Sequence, residues 1–131
     1  MKMAYPACFY PENNGSYSVI FPDLNYCATQ GKNLMEAMEM AEDAASGYLL
    51  VSLEQGEPFP ASSQIKGIVP DSDDGFVSMV LIDLDAYAKK HNDKTVKKTL
   101  TIPAWVNEAA ERRGINFSST LKDAIIDQLS L

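Results

Sequence analysis

The sequence predicts an α+β fold in two parts, a small antiparallel sheet with one long helix followed by a strand-helix-helix tail. Two observations carry the first part: short apolar runs broken by turn-forming clusters, then one stretch in which apolar residues recur at three- and four-residue spacing. A third carries the second part. Beyond residue 94 a short alternating run is followed by Pro103 and Gly114, residue types that open and close a helix. With 131 residues and 46% hydrophobic content, the chain can bury a domain core and still spare a small appendage.

The first strand is expected over Met3 to Tyr10, aromatic and small apolar residues that stop at Pro11-Glu12-Asn13-Asn14-Gly15. Ser16 to Phe21 then returns as the second arm of a hairpin. Pro6 has no N–H for a central ladder, so the first strand is expected at a sheet edge or with an irregular start. After Pro22-Asp23-Leu24-Asn25, Tyr26 to Gln30 is a third strand ended by Gly31. Asn33 followed by Glu36 supplies a helix N-cap and its reciprocal partner. From there Leu34, Ala37, Met38, Ala41, Ala45, Tyr48, Leu49 and Ser52 line one helical face, with Glu36, Glu39, Glu42, Asp43 and Glu54 on the other. Gly56 and Pro58 supply the stop.

Residues 57–75 hold three prolines and the acidic turn Asp71-Ser72-Asp73-Asp74-Gly75, which predicts a loop with at most a short strand around Ile65 to Val69. Phe76 to Ile82 is the strongest strand signal, and its continuous apolarity predicts a central strand. Asp83 to Lys90 reads as one capped helical turn and His91-Asn92-Asp93-Lys94 as a polar hinge. The expected organisation is therefore a domain over 1–88, a hinge over 89–94 and a tail over 95–131.

Several functional classes lose support from composition. The first twenty residues carry Lys2, two prolines and Glu12-Asn13-Asn14 where a secretory signal needs an apolar run, and no stretch approaches a membrane span. The cytoplasm is the expected address. Cys8 and Cys27 are too few for a disulfide scaffold and have no Cys or His at metal-ligand spacing, so both are expected as buried free thiols. The lone His91 is expected as a solvated helix-end residue. No cofactor and no metal are expected.

The net charge of −7 is unevenly divided. Residues 1–88 hold three lysines against thirteen acids, a net −10, and residues 89–131 hold eight Lys or Arg against five acids, a net +3. An acidic domain on a basic tail suits a protein that meets a basic partner at one end and phosphates at the other.

The tail opens with an alternating strand, Thr95 to Ile102, and Pro103 takes the first position of a helix because its missing N–H has no helical partner there. Trp105, Val106, Ala109 and Ala110 form the expected buried stripe, with Arg112 and Arg113 at the negative end of the helix dipole and Gly114 as the stop. A second helix opens at Ser118 and carries Leu121, Ala124, Ile125, Leu129 and Leu131 as its stripe. Fewer than forty residues cannot close a core alone, and a lone strand leaves its backbone unpaired. Pairing with the same strand of a second chain resolves both problems. Leu100, Ile102, Trp105, Leu121 and Ile125 would then form the dimer core, and the whole tail resembles the ribbon-helix-helix architecture.

That resemblance implies that the ribbon enters the DNA major groove. Period-two alternation sends Leu100 and Ile102 inward, so Lys97, Thr99 and Thr101 would face base edges. Backbone N–H groups near Ser118 and Ser119 would hold a phosphate, with Lys94 and Lys98 placed for further phosphate contacts.

The first 88 residues resemble the HicB antitoxins. The resemblance rests on Phe21-Pro22-Asp23-Leu24-Asn25-Tyr26-Cys27-Ala28-Thr29-Gln30-Gly31, Leu34-Met35-Glu36-Ala37, Gly56-Glu57-Pro58-Phe59-Pro60 and Leu81-Ile82-Asp83-Leu84-Asp85-Ala86-Tyr87. Asn25-Tyr26 stands where that family usually shows Pro-Gly. The resemblance implies a partial RNase H-like fold that binds and blocks HicA, a small basic RNA-cleaving toxin. Asp23, Asp71, Asp73 and Asp74 are expected to face that toxin, since complementary fields speed encounter.

Two other classes compete. RNase H-like nucleases hold clustered carboxylates and two metal ions on the sheet, and Asp23, Asp83 and Asp85 are the only acids near strand ends, none interrupting an apolar strand. A ligand-sensing ribbon-helix-helix regulator is the second; it lacks a glycine-rich phosphate cradle and convergent polar motifs. The expected function is thus an antitoxin without catalysis of its own that also autorepresses its operon.

Overall fold

Four strands form where the apolar runs place them, and two of them take other positions in the sheet than expected. The computed structural model describes residues 1–91 and 94–129. Its contacts divide into two compact units, Lys2–Asn92 and Asp93–Leu131. The first holds β1 (Lys2–Pro11), β2 (Tyr17–Phe21), β3 (Cys27–Gly31), α1 (Leu34–Glu54), β4 (Phe76–Asp83) and α2 (Leu84–His91). The strands make one antiparallel sheet in the order β3-β2-β1-β4.

Two expectations about the sheet are corrected. β4 is an edge strand: Val80 and Ile82 are buried, whereas Met79 and Leu81 are 41% and 64% exposed on the opposite face. Its continuous apolarity therefore reflects an apolar outer face, a pattern that mimics burial on both sides. β1 is central, despite Pro6. The β2 ladder begins at Cys8, so the only ladder at Pro6 is the one to β4, where it pairs with Met79. The hairpin bond from the Glu12 N–H to the Ser16 carbonyl, 2.8 Å, shows that even-numbered residues of β1 point their N–H toward β2. Pro6 lies past the end of that ladder, so its missing N–H removes no ladder bond.

α1 packs on the sheet face that carries Phe9, Val19, Phe21, Val80 and Ile82, all buried. Its contribution is largely alanine, with Ala37, Ala41 and Ala45 fully buried, so helix and sheet approach closely. The closest point is Gly31, where an added Cβ would sit 2.2 Å from the Ala37 backbone nitrogen. Asn33 caps the helix as expected, its side chain accepting from the Glu36 N–H at 2.8 Å, and the Glu36 carboxylate reaches back to the Lys32 N–H at 3.3 Å. Gln55 is the C-cap and Gly56, with φ 73°, takes the left-handed turn that ends the helix.

The expected short strand near Ile65 is instead a 3-10 turn, Ile65–Gly67. No ladder partner reaches this segment, which is fastened by side chains. The Tyr5 hydroxyl donates to the Pro60 carbonyl at 2.6 Å, Asp23 accepts from both the N–H and the hydroxyl of Ser63 at 2.7 Å, and the Tyr10 hydroxyl accepts from the Asp71 N–H at 3.0 Å. Burial, with the Asp23 carboxylate beside it, pushes the Tyr5 phenol above its ordinary value near 10. The folded chain thus favours the protonated phenol, and its contribution is present below pH 10 and lost as pH rises through that range. Tyr5→Phe should cost about 1 kcal/mol at pH 7 by removing the bond. It should also shallow the alkaline loss of stability, part of which Tyr10 retains because burial raises its phenol too. Urea unfolding at pH 7 and pH 10.5 measures both.

The expected hinge begins later than residue 89, since Lys89, Lys90 and His91 complete α2, while Asn92 and Asp93 lie outside the described residues. His91 is exposed at the helix end, as expected, with its ring centroid 4.1 Å from that of Tyr87. Cys8 is buried and Cys27 half-buried, both as free thiols.

In the second unit, α3 (Ala104–Arg112) and α4 (Phe117–Leu129) form around Gly114, whose φ of 66° makes the turn. Pro103 is the N-cap, one residue before the position expected. Residues 94–103 hold no strand. A strand requires a ladder, and the single chain offers this segment none. The expected burial is also absent in one chain: Trp105 is 73%, Leu121 41% and Ile125 49% exposed, and of the α3 stripe only Ala110 is buried. Leu131 lies outside the described residues.

Candidate protein-binding and nucleic-acid interfaces

The four acids expected at a protein contact occupy two different places. Asp71, Asp73 and Asp74 sit together, exposed, in the turn that leads into β4. Ser72 donates its hydroxyl to Asp74 at 2.8 Å, which holds that carboxylate in place. Asp23 lies on the 3-10 turn Pro22–Leu24, half-buried, and its two oxygens are both engaged by Ser63. It therefore acts first as a loop fastener, with both carboxylate oxygens already hydrogen-bonded within the chain. Asp83, weighed above as a metal-binding carboxylate, accepts from the Ala86 N–H at 3.2 Å and so caps α2.

A further acidic surface was not singled out by sequence. Glu39, Glu42 and Asp43 of α1 join Asp83, Tyr87 and His91 around a cleft of about 280 Å³. The helical spacing placed the α1 acids on one face, but only the docking of α2 makes that face concave. Gly47 permits this docking, since an added Cβ there would stand 3.1 Å from the Tyr87 hydroxyl.

The turn after Leu24 holds another feature. Asn25 and Tyr26 both have positive φ, 54° and 58°, and Tyr26 is 72% exposed. A left-handed conformation outside glycine or asparagine costs about 1–2 kcal/mol. Cys27 follows, its sulfur 3.9 Å from the Ala44 carbonyl, and burial pushes its thiol above the ordinary range, away from the reactive thiolate.

In the tail, Lys94, Lys97, Lys98, Thr99 and Thr101 are all exposed, as are Leu100 and Ile102, at 61% and 49%. The start of α4 differs from expectation. Asn116, unremarked in the sequence, is its cap, and its side-chain oxygen accepts from the Ser119 N–H at 2.9 Å. That amide is occupied within the chain, which weakens the expectation of Ser119 as a phosphate donor. An asparagine three residues ahead of the N–H that it caps is a signal the sequence does carry.

A family profile described as the HicB_like antitoxin of bacterial toxin-antitoxin system matches residues 5–124, across both units. The chain belongs to the HicB-like antitoxin family. This HicB-like antitoxin is 35% identical over 104 residues to an uncharacterised 14.9 kDa protein of Haemophilus phage HP1, covering 78% of this chain and 74% of that one. It is 34% identical over 79 residues to antitoxin HicB of Escherichia coli K12, covering 60% of this chain and 54% of that protein, so it spans about half that relative's length. A chain from a toxin-antitoxin complex of Streptococcus pneumoniae superposes with a TM-score of 0.62 at 33% identity, covering 98% of this chain and 99% of the other. The α+β architecture with a four-stranded antiparallel sheet is thus shared with HicB structures. Among the described residues, no helix of this HicB-like chain is long and apolar enough to cross a membrane.

Proposed function

We propose that this HicB-like antitoxin captures a small, basic, HicA-type RNA-cleaving toxin with its acidic unit, and that its tail pairs with a second copy to bind operator DNA and repress its own operon. The observation that carries this reading is the coincidence of two divisions. Contacts separate the chain at residues 92 and 93, and charge separates it nearby, −10 over 1–88 against +3 over 89–131. One unit is built to attract cations and the other phosphates. Neutralisation is by occlusion, and no step of it requires chemistry from the antitoxin.

The tail supports the second half of the proposal through what it exposes. Leu100, Ile102, Trp105, Leu121 and Ile125 are uncovered in one chain, and a homodimeric ribbon-helix-helix would bury them. Lys97, Thr99 and Thr101 would then face base edges, while Lys94, Lys98 and the amide of Ser118 would meet phosphates.

Co-expression with the small reading frame adjacent to this chain's gene tests the function. Rescue of growth together with a stable complex is the expected result, and a harmless or non-binding neighbour would defeat it. Within such a complex, replacing Asp71, Asp73 and Asp74 together by Asn should slow association about tenfold at low salt and by less at high salt, because the steering field is screened. Stopped-flow association rates at two ionic strengths measure this, and rates equal to wild type at low salt would remove these acids from the interface.

A further inference from the structure

β4 ends the sheet, and among the described residues no strand pairs with its outer edge. Eight residues long, Phe76–Asp83, it contains no lysine or proline of the kind that commonly blunts an exposed edge. Among the described residues no backbone hydrogen bond joins it to any element besides β1. The direction of its free groups follows from the register. Even-numbered residues of β1 point their N–H toward β2, and within the apolar run of β4 their partners are Val77, Met79 and Leu81. These three residues therefore aim their N–H and C=O groups away from the sheet, whereas Phe76, Ser78, Val80 and Ile82 aim theirs at β1. The side chains of Met79 and Leu81 lie exposed beside that edge on the outer face.

Charge selects the occupant. Asp71, Asp73 and Asp74 precede the strand, so its start is acidic within a unit of net −10, while at its end Asp83 lies across from Lys2. A second copy of the same edge would bring two such units together with like charges facing, which opposes association. A cationic polypeptide gains from the same field. The other edge, β3, is only five residues long and is crowded by the start of α1 at Gly31.

We propose that the outer edge of β4 is the docking strand for the toxin: an extended segment of that basic protein adds to the sheet beside Val77, Met79 and Leu81. Main-chain bonds give this mode its affinity and alternate side-chain contacts its specificity, here with apolar toxin residues over Met79 and Leu81 and a flanking cation at the acidic start of the strand. The proposal rests on the antitoxin reading above and goes further by naming the surface.

Amide hydrogen exchange resolved by residue tests it, using the full chain alone and in complex with the product of the adjacent reading frame. The amides of Val77, Met79 and Leu81 should exchange freely in the chain alone and slow at least tenfold in the complex. Those of Phe76, Ser78, Val80 and Ile82 should be slow in both. In parallel, Leu81→Pro removes one outward N–H without touching the β1 ladder, and should weaken toxin binding at least tenfold with an unchanged circular dichroism spectrum. A complex that forms with no new protection at these three amides overturns the proposal and leaves the antitoxin reading intact. Protection of the same amides in the chain alone, growing with concentration, overturns it in favour of self-pairing. Absence of any complex with the wild-type chain defeats the antitoxin reading and this proposal with it.

Discussion

Leu100→Asp should abolish dimerisation and operator binding together while leaving toxin capture intact. In a single chain Leu100 is 61% exposed, so the carboxylate stays hydrated and the monomer loses nothing. In a paired ribbon the same side chain turns inward against Ile102, Trp105 and the α4 stripe, and an unpaired buried charge costs about 3 kcal/mol or more. Each dimer carries it twice, which corresponds to roughly four powers of ten in the dimer dissociation constant. Sedimentation equilibrium should report a monomer, and a gel shift with operator DNA should show no retarded band. Toxin binding, which the proposal gives to the unit Lys2–Asn92, should match wild type. A normal operator shift from this variant would mean that Thr95 to Ile102 is not the ribbon.

Gly31→Ala should have the largest effect on the acidic unit. The new Cβ would meet three backbone atoms, Ala37 N at 2.2 Å, Ala37 Cα at 2.6 Å and the Glu36 carbonyl carbon at 2.7 Å. Backbone cannot yield as a side-chain tip does, so the start of α1 must lift from the end of β3. Overpacking of this kind costs about 3 kcal/mol. For a unit of this size that is a fall of roughly 10–20 °C in melting temperature. Thermal unfolding followed by circular dichroism measures it, and a shift under about 3 °C would show that the junction has slack that the geometry denies.

The contrast between these two positions also explains which parts of the molecule were legible in the sequence. Signals that act within a few residues were readable: Asn33 with Glu36 at the start of α1, Gly56 at its end and Gly114 between α3 and α4. Strand order was not, because it depends on pairing across the chain. The run Phe76 to Ile82 is apolar on both faces whether it is buried twice or exposed once, and only the partner list separates the cases. Pro6 misled for a related reason, since its tolerance depends on β2 ending one pair short of it. Among site residues, Asp71, Asp73 and Asp74 were readable as an exposed acidic turn, but the tie from Asp23 to Ser63 spans forty positions and left no local trace. The alternation of Thr95 to Ile102 predicts a strand, but the single chain gives this segment no ladder partner and it stays unformed.

Residues 94–103 lack a ladder in the single chain, and the apolar stripes beside them are uncovered. A ribbon that forms only in pairs makes its DNA-competent form a second-power function of chain concentration while monomers predominate. Operator occupancy would then follow abundance steeply, whereas a partner bound one-to-one by the acidic unit would follow it linearly. At low copy number such a chain would spend itself on protein capture, and repression would engage only after the pool had grown, so the unpaired segment would set a threshold between the two duties.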